Sequence, residues 1–104
     1  MGLFRRKEEK RYLDLLERLD GRPIKYCTER DVVTSVESVL GKQGAINVVD
    51  SELVIVCDAK EVFRCDIQTM RAGELLSLAG VTVTGFDSVL GKERTIVAYY
   101  QYYR

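Results

Sequence analysis

The chain has 104 residues, a length typical of one domain, and we treat residues 1–104 as a single unit. Sixteen Lys and Arg residues balance sixteen Asp and Glu residues, so no overall field draws the chain toward nucleic acid or an anionic membrane. The longest apolar run, Leu53–Cys57, is far shorter than the ~20 residues of a membrane-spanning helix, and the N-terminal sequence does not resemble a secretory signal. We therefore expect a soluble cytoplasmic protein that does not contact a membrane.

The spacing of apolar residues predicts a helix over residues 5–19. Tyr12, Leu15, Leu16 and Leu19 recur at i, i+3, i+4 and i+7, which places them on one helical face. The sequence Asp-Gly-Arg-Pro at positions 20–23 then supplies a glycine C-cap and a proline that ends the helix.

An internal repeat is the most informative feature of the sequence. Residues 33–46 reappear as residues 83–96, and eight of the fourteen aligned positions are identical. Residues 32–40 also show helical spacing, but the second copy is β-branched and alternating and contains Gly85, which favours a strand. We interpret both copies as one duplicated unit of strand, Ser-Val-Leu-Gly-Lys loop and strand.

Short strands are predicted between the two copies, over residues 45–50, 53–58 and 61–67. A turn at residues 59–60 would pair Val54 with Cys65 and place Val54 on the core face.

The remaining elements are a short helical turn near residues 70–79 and a long C-terminal strand that starts at residue 95. These elements predict an α+β fold that is mostly antiparallel β, either a small barrel or a strongly bent sheet, with an N-terminal helix.

The residues that usually carry catalysis are scarce. The chain contains no His, which removes the usual base near neutral pH and the Ser-His-Asp and Cys-His arrangements. Its three cysteines, Cys27, Cys57 and Cys65, are predicted to lie in strands and do not have the spacing of a zinc site. We therefore expect no enzymatic activity, no metal and no cofactor.

The tyrosine-rich C-terminal strand is the candidate interaction surface. Alternation along the strand places Tyr100 with Ile96 on the core face and Tyr99 on the opposite, wetter face. Such a surface fits a protein partner or a second copy of the chain, although the tyrosines could equally pack within the fold. The residues predicted to form it are Tyr99, Tyr103, Arg94 and Arg104.

One family resemblance supports an alternative. The segment Val83-Thr84-Gly85-Phe86-Asp87 followed by Thr95–Ala98 resembles the bent strand pair of Sm-like RNA-binding barrels, which also begin with a helix. The resemblance implies a small barrel whose strand loops bind RNA bases. The family has an Asn after its Gly and Asp where this chain has Gly91, and the later Arg-Gly pair of the family is missing. RNA binding is therefore the alternative to a protein-binding module.

Overall fold

The computed structural model describes residues 2–102 and their side chains from residue 9 onward. Within these residues it contains one helix and seven strands. Their bounds are α1 Gly2–Leu19, β1 Arg22–Arg30, β2 Glu37–Val49, β3 Glu52–Cys57, β4 Lys60–Asp66, β5 Arg71–Glu74, β6 Gly80–Asp87 and β7 Lys92–Tyr100.

All seven strands join one antiparallel sheet in the order β4-β3-β2-β1-β7-β6-β5. The sheet curls so strongly that β4, at one edge, lies beside β6, where the Ser88 N–H donates to the Arg64 carbonyl at 2.9 Å. Among the described residues no continuous ladder joins β4 to β6, so the sheet is not closed into a barrel. The predicted mostly antiparallel fold with an N-terminal helix is confirmed, and of its two forms the strongly bent sheet is the one observed.

The predicted helix face is confirmed. Leu15, Leu16 and Leu19 are buried in the core, and the Tyr12 hydroxyl donates to the Ile67 carbonyl at 2.6 Å. The helix ends at Leu19 because Gly21 adopts a left-handed backbone with φ of 80°. The helix therefore covers the end of the core where β1 begins.

The core lies on the concave face of the sheet and under the helix. Six of the seven strands contribute fully buried side chains to it, and the edge strand β5 contributes the partly buried Ala72. The largest fully buried side chains in the described part of the chain include Phe63, Leu19, Ile24, Ile46, Leu53, Ile55 and Ile96.

The predicted register of the β3–β4 hairpin is wrong by one residue. Its turn is Asp58–Ala59, with φ of 53° and 64°, a pair of values typical of the tight turns that match strand twist. A β-bulge between Ile55 and Val56 then shifts the register once more, so that Leu53, not Val54, pairs with Cys65. Because side chains alternate along a strand, this shift exchanges the two faces of β3 and places Leu53 in the core.

The helical turn predicted near residues 70–79 is also wrong. Residues 71–74 form the edge strand β5, paired with residues 81–84 of β6. The leucines that suggested a helix lie in one tight turn, closed by the Leu78 N–H donating to the Leu75 carbonyl at 2.8 Å. Pairing with β6 thus overrides the local helical preference.

The repeat is not confirmed as a structural unit. In the first copy residues 33–36 lie in the turn between β1 and β2, and residues 38–42 lie in β2. In the second copy residues 83–87 lie in β6, and residues 88–91 form a turn. Similar sequences therefore adopt different structures in the two copies.

Candidate functional site

Tyr99 lies on the convex face of the sheet, as the alternation along its strand predicts. Its ring stacks on Tyr26 of β1 with centroids 4.6 Å apart, and its hydroxyl donates to the Glu37 carboxylate at 3.0 Å. Burial and the hydrogen bond to Glu37 raise the pKa of Tyr99. Two other predicted surface residues, Tyr103 and Arg104, lie outside the described residues.

Glu37, at the start of β2, organises this convex face. Besides the Tyr99 hydroxyl, its carboxylate accepts from the Thr28 hydroxyl at 2.7 Å and from the Arg30 guanidinium at 3.0 Å. The bonds from Thr28 and Arg30 hold the pKa of Glu37 below its ordinary value. A charged Glu37 therefore ties together β1, β2 and β7 where the turn after β1 begins.

Arg94, the remaining predicted surface residue, is buried and 5% exposed. Its guanidinium donates to Asp87 at 2.7 Å, to Glu29 at 2.8 and 3.2 Å, and to the Val62 carbonyl at 2.9 Å. Alternation along β7 places Arg94 on the same face as Ile96, which is the core face. The charge of Arg94 is therefore paired with carboxylates inside the fold and does not lie on the predicted surface.

The most exposed apolar group lies in and beside the turn after β1. We name Val32, Val33, Val36 and Val39 the valine turn; Val32 is 78% and Val33 87% exposed. The Asp31 carboxylate accepts from the Val33 N–H at 2.8 Å and from the Thr34 N–H at 3.1 Å, which fixes the backbone. The valines are therefore held in solvent by a hydrogen-bonded turn.

A second apolar turn lies at the same end of the sheet. We call this end, where β1, β3 and β6 finish, the upper end, and we name the second group the phenylalanine turn, which consists of Phe86, Val89 and Leu90. All three of its side chains are exposed. A cleft of about 620 Å³ lies beside the valine turn, with Val32 and Val33 on one side and Thr84 and Glu93, near the phenylalanine turn, on the other.

The thiols do not form a reactive site. All three are free and buried, and Cys27 and Cys57 bring their sulfurs to 3.2 Å of each other. Burial raises the pKa of Cys65 to about 12 and raises those of the other two thiols as well, so the nucleophilic thiolate is scarce near neutral pH. Among the side chains of residues 9–102, no three Cys, Asp or Glu groups are placed together as metal ligands.

No family model, curated protein or solved structure matches the chain. In the described part of the chain, no helix has the length and apolar character needed to cross a bilayer.

The valine turn is the feature that the sequence reasoning missed. Residues 32–40 have valines at helical spacing, which competed with the strand interpretation from the repeat. The signal that would have found the turn is Asp31 followed by Thr34 and Ser35, three residues that favour turns. Ser35 indeed adopts a left-handed φ of 63°.

Proposed function

We propose that this chain is a non-enzymatic assembly module that binds a second copy of itself through its upper end. The observation that carries the proposal is that two exposed apolar turns, the valine turn and the phenylalanine turn, lie at one end of the sheet, with a cleft lined by Val32 and Val33 beside the valine turn. Monomeric soluble proteins rarely expose apolar patches larger than a few hundred Å². Such patches are typical of surfaces that are covered by a partner.

The apolar area of the upper end is a large part of what one stable interface requires. Its seven apolar side chains are partly exposed and correspond to roughly 300–500 Å² of apolar surface, taking about 60–120 Å² for each fully exposed side chain. A standard interface takes about 800 Å² from each partner, roughly three-fifths of it apolar. The two turns together therefore supply most of the apolar part of one self-complementary contact.

The charges around the two turns permit contact between identical surfaces. Arg30 and Asp31 flank the valine turn, and Lys92 and Glu93 follow the phenylalanine turn. Charges of both signs thus lie beside each turn, with Glu37 paired to Arg30 next to the valine turn, and the whole chain has a formal net charge of zero. A two-fold arrangement that places the valine turn of one copy on the phenylalanine turn of the other brings no large charge of one sign together.

The Tyr26–Tyr99 stack supports the valine turn from below. Because Tyr99 bonds Glu37 and Glu37 bonds Arg30, the beginning of the turn and the beginning of β2 are held against β7. A rigid apolar surface loses little conformational entropy on binding, which favours association. Tyr99 therefore contributes to the proposed interface as a supporting residue.

The test is the molar mass in solution, measured by light scattering over a concentration series. We compare the unmodified chain with the double variant V32S/V33S and with the matched control Leu76→Ser. Leu76 is a fully exposed apolar residue in the β5–β6 turn, at the opposite end of the sheet. The unmodified chain and the Leu76 variant are expected to approach twice the monomer mass, while V32S/V33S stays monomeric with unchanged thermal stability.

Two results would overturn the proposal. One is an unmodified chain that stays monomeric at the highest concentration. The other is a mass that includes co-purified nucleic acid and falls steeply with added salt, which would favour RNA binding instead.

A further inference from the structure

The seam between β4 and β6 is held by side chains instead of a backbone ladder. Four strands separate β4 from β6 in the sheet order, yet the two lie side by side. The Arg64 N–H donates to the Asp87 carboxylate at 2.9 Å, the Ser88 N–H donates to the Arg64 carbonyl at 2.9 Å, and Arg94 donates to the Val62 carbonyl. Two of these three bonds thus depend on the charged side chains of Asp87 and Arg94.

Asp87 is at the centre of these contacts. Its carboxylate is fully buried and also accepts from the Val89 N–H and the Leu90 N–H, each at 3.0 Å, and from Arg94 at 2.7 Å. One carboxylate therefore closes the β6–β7 turn, neutralises Arg94 and occupies the place where β4 would otherwise pair with a carbonyl. We name Asp87, Arg94 and Glu29 the latch.

The seam covers one buried thiol. Cys65 lies in β4, is 1% exposed and has its sulfur 3.5 Å from the Met70 sulfur. A Cβ at Gly85 of β6 would lie 3.2 Å from the Cys65 sulfur, so β6 directly covers it. Cys57, by contrast, lies in β3, which is paired on both sides. Separation of β4 from β6 would expose Cys65 and leave Cys57 covered.

We propose that the latch is a conformational switch: the seam between β4 and β6 stays closed while Asp87 is ionised and opens locally when that carboxylate is neutralised. Opening exposes Cys65 and the free edge of β4, an edge that could pair with another strand. The switch does not require self-association at the upper end, although Asp87 also closes the phenylalanine turn.

The charged groups around Asp87 determine the direction of the pH dependence. Arg94 of β7 and Glu29 of β1 complete the latch, and Lys92 lies near Glu29. The negative charges of Asp66 and Glu52 lie near Cys65 and raise the pKa of its thiol. The Arg64 guanidinium turns away from the latch and pairs with Glu52 and Glu61, as its three bonds show.

Burial alone would raise the pKa of Asp87, but its hydrogen bonds outweigh burial and hold the pKa below the ordinary 3.8. The bond from Arg94 likewise holds the pKa of Glu29 below 4.5. The ionised carboxylates of Asp87 and Glu29 therefore contribute their full stabilisation at a pH above their ordinary pKa values. This stabilisation is lost as the pH falls through the lower pKa values of the folded state. The seam is therefore closed at neutral pH and opens in acid.

The test is the labelling rate of single thiols by a pyridyl disulfide, which reacts in acid as well as at neutral pH. One background, C27A/C57A, reports Cys65, and a second, C27A/C65A, reports Cys57. In both backgrounds we compare Asp87→Asn with the matched control Glu61→Gln, which removes an ion pair on β4 without contacting the latch.

Asp87→Asn is expected to speed the labelling of Cys65 at least tenfold at neutral pH, and Glu61→Gln is expected to change the rate of neither thiol. In the Asp87 variant, Cys65 is expected to react faster than Cys57 and with a weaker dependence on added urea, because opening the seam exposes less surface than unfolding the chain. Equal rates with equal urea dependence for the two thiols would show global unfolding and overturn the proposal, as would an unchanged rate for Cys65. If Asp87→Asn does not fold, acid titration of the two backgrounds decides in the same way. Cys65 must become reactive at a higher pH than Cys57.

Discussion

The same five residues, Ser-Val-Leu-Gly-Lys, occur at positions 38–42 and 88–92 and adopt different structures. In the first region they belong to β2 and pair with β1; in the second, residues 88–91 form the turn between β6 and β7. A pentapeptide therefore does not determine its own conformation in this protein. Its conformation is decided by the residues before it and by the strands that surround it.

The residue before each pentapeptide accounts for much of the difference. Asp87 has a short carboxylate that reaches the N–H groups of Val89 and Leu90, so it closes a turn. Glu37 is one methylene longer, and its carboxylate instead reaches sideways to Thr28 and Tyr99 on neighbouring strands. A change that looks conservative thus separates a turn from a strand.

The glycine of each pentapeptide is needed for a different reason. Gly91 has a left-handed φ of 75°, with no atom within 4 Å of where a Cβ would be. Gly41 has no such φ, but a Cβ there would lie 2.7 Å from the Cys57 Cβ. Gly91 therefore permits a turn, and Gly41 permits close packing of β2 against Cys57.

Among variants of the two regions, removal of the Asp87 carboxylate is expected to lower the free energy of unfolding the most. Asp87→Ala leaves Arg94 buried without its closest partner and removes the closing bonds of the turn, so we expect a loss of about 3–5 kcal/mol in the free energy of unfolding. Glu37→Ala, at the matching position of the first region, is expected to cost about 1 kcal/mol because its ion pair is partly exposed. Urea denaturation measures both, and equal losses would refute the distinction.

Gly41→Ala is expected to destabilise the protein by about 2 kcal/mol, the usual cost of overpacking a core. The clash is with the Cys57 Cβ, so in the variant Cys57→Gly the same alanine should cost much less. A double-mutant cycle on the unfolding free energy checks this. A coupling energy of zero would contradict the packing explanation.

Gly91→Ala is expected to cost about 1 kcal/mol, because an L-residue is strained at a left-handed φ. Gly91→Asn should cost less, since asparagine tolerates this conformation better. Thermal unfolding of the two variants ranks them. If alanine and asparagine behaved alike, backbone strain would not explain the glycine.

Tyr99→Phe is expected to have the smallest effect. The change removes only the hydroxyl that donates to Glu37 and keeps the stack on Tyr26, so we expect about 0.5–1 kcal/mol. Glu37 keeps its bonds from Thr28 and Arg30. A loss as large as that of Asp87→Ala, measured by the same urea denaturation, would mean that Glu37 anchors its region as strongly as Asp87 does.

The type and approximate position of several local elements were predictable, whereas the bounds of β1, β2 and the edge strand β5 and the register between strands were not. Apolar spacing located the helix face that includes Leu16, and β-branched runs located much of β2, β3, β4 and β6. The β-bulge between Ile55 and Val56, however, exchanged the two faces of β3, because side chains alternate with a period of two and the bulge shifts the register by one residue. Arg94 was assigned to the surface for a related reason: its charge suggested solvent, whereas its position on β7 placed it inside.

The sequence by itself determined the class of fold: the amphipathic helix, its end at Gly21 and a mostly antiparallel sheet follow from periodicity and from residues with restricted backbone preferences. Only the tertiary structure decided that Ser-Val-Leu-Gly-Lys is a strand at one place and a turn at the other, and that Asp87 and Arg94 meet beside β4. The physical reason is the distance along the chain between the residues that interact. Periodicity reports contacts within a few residues, whereas pairing across the sheet and burial of a charge depend on residues that are distant in the chain.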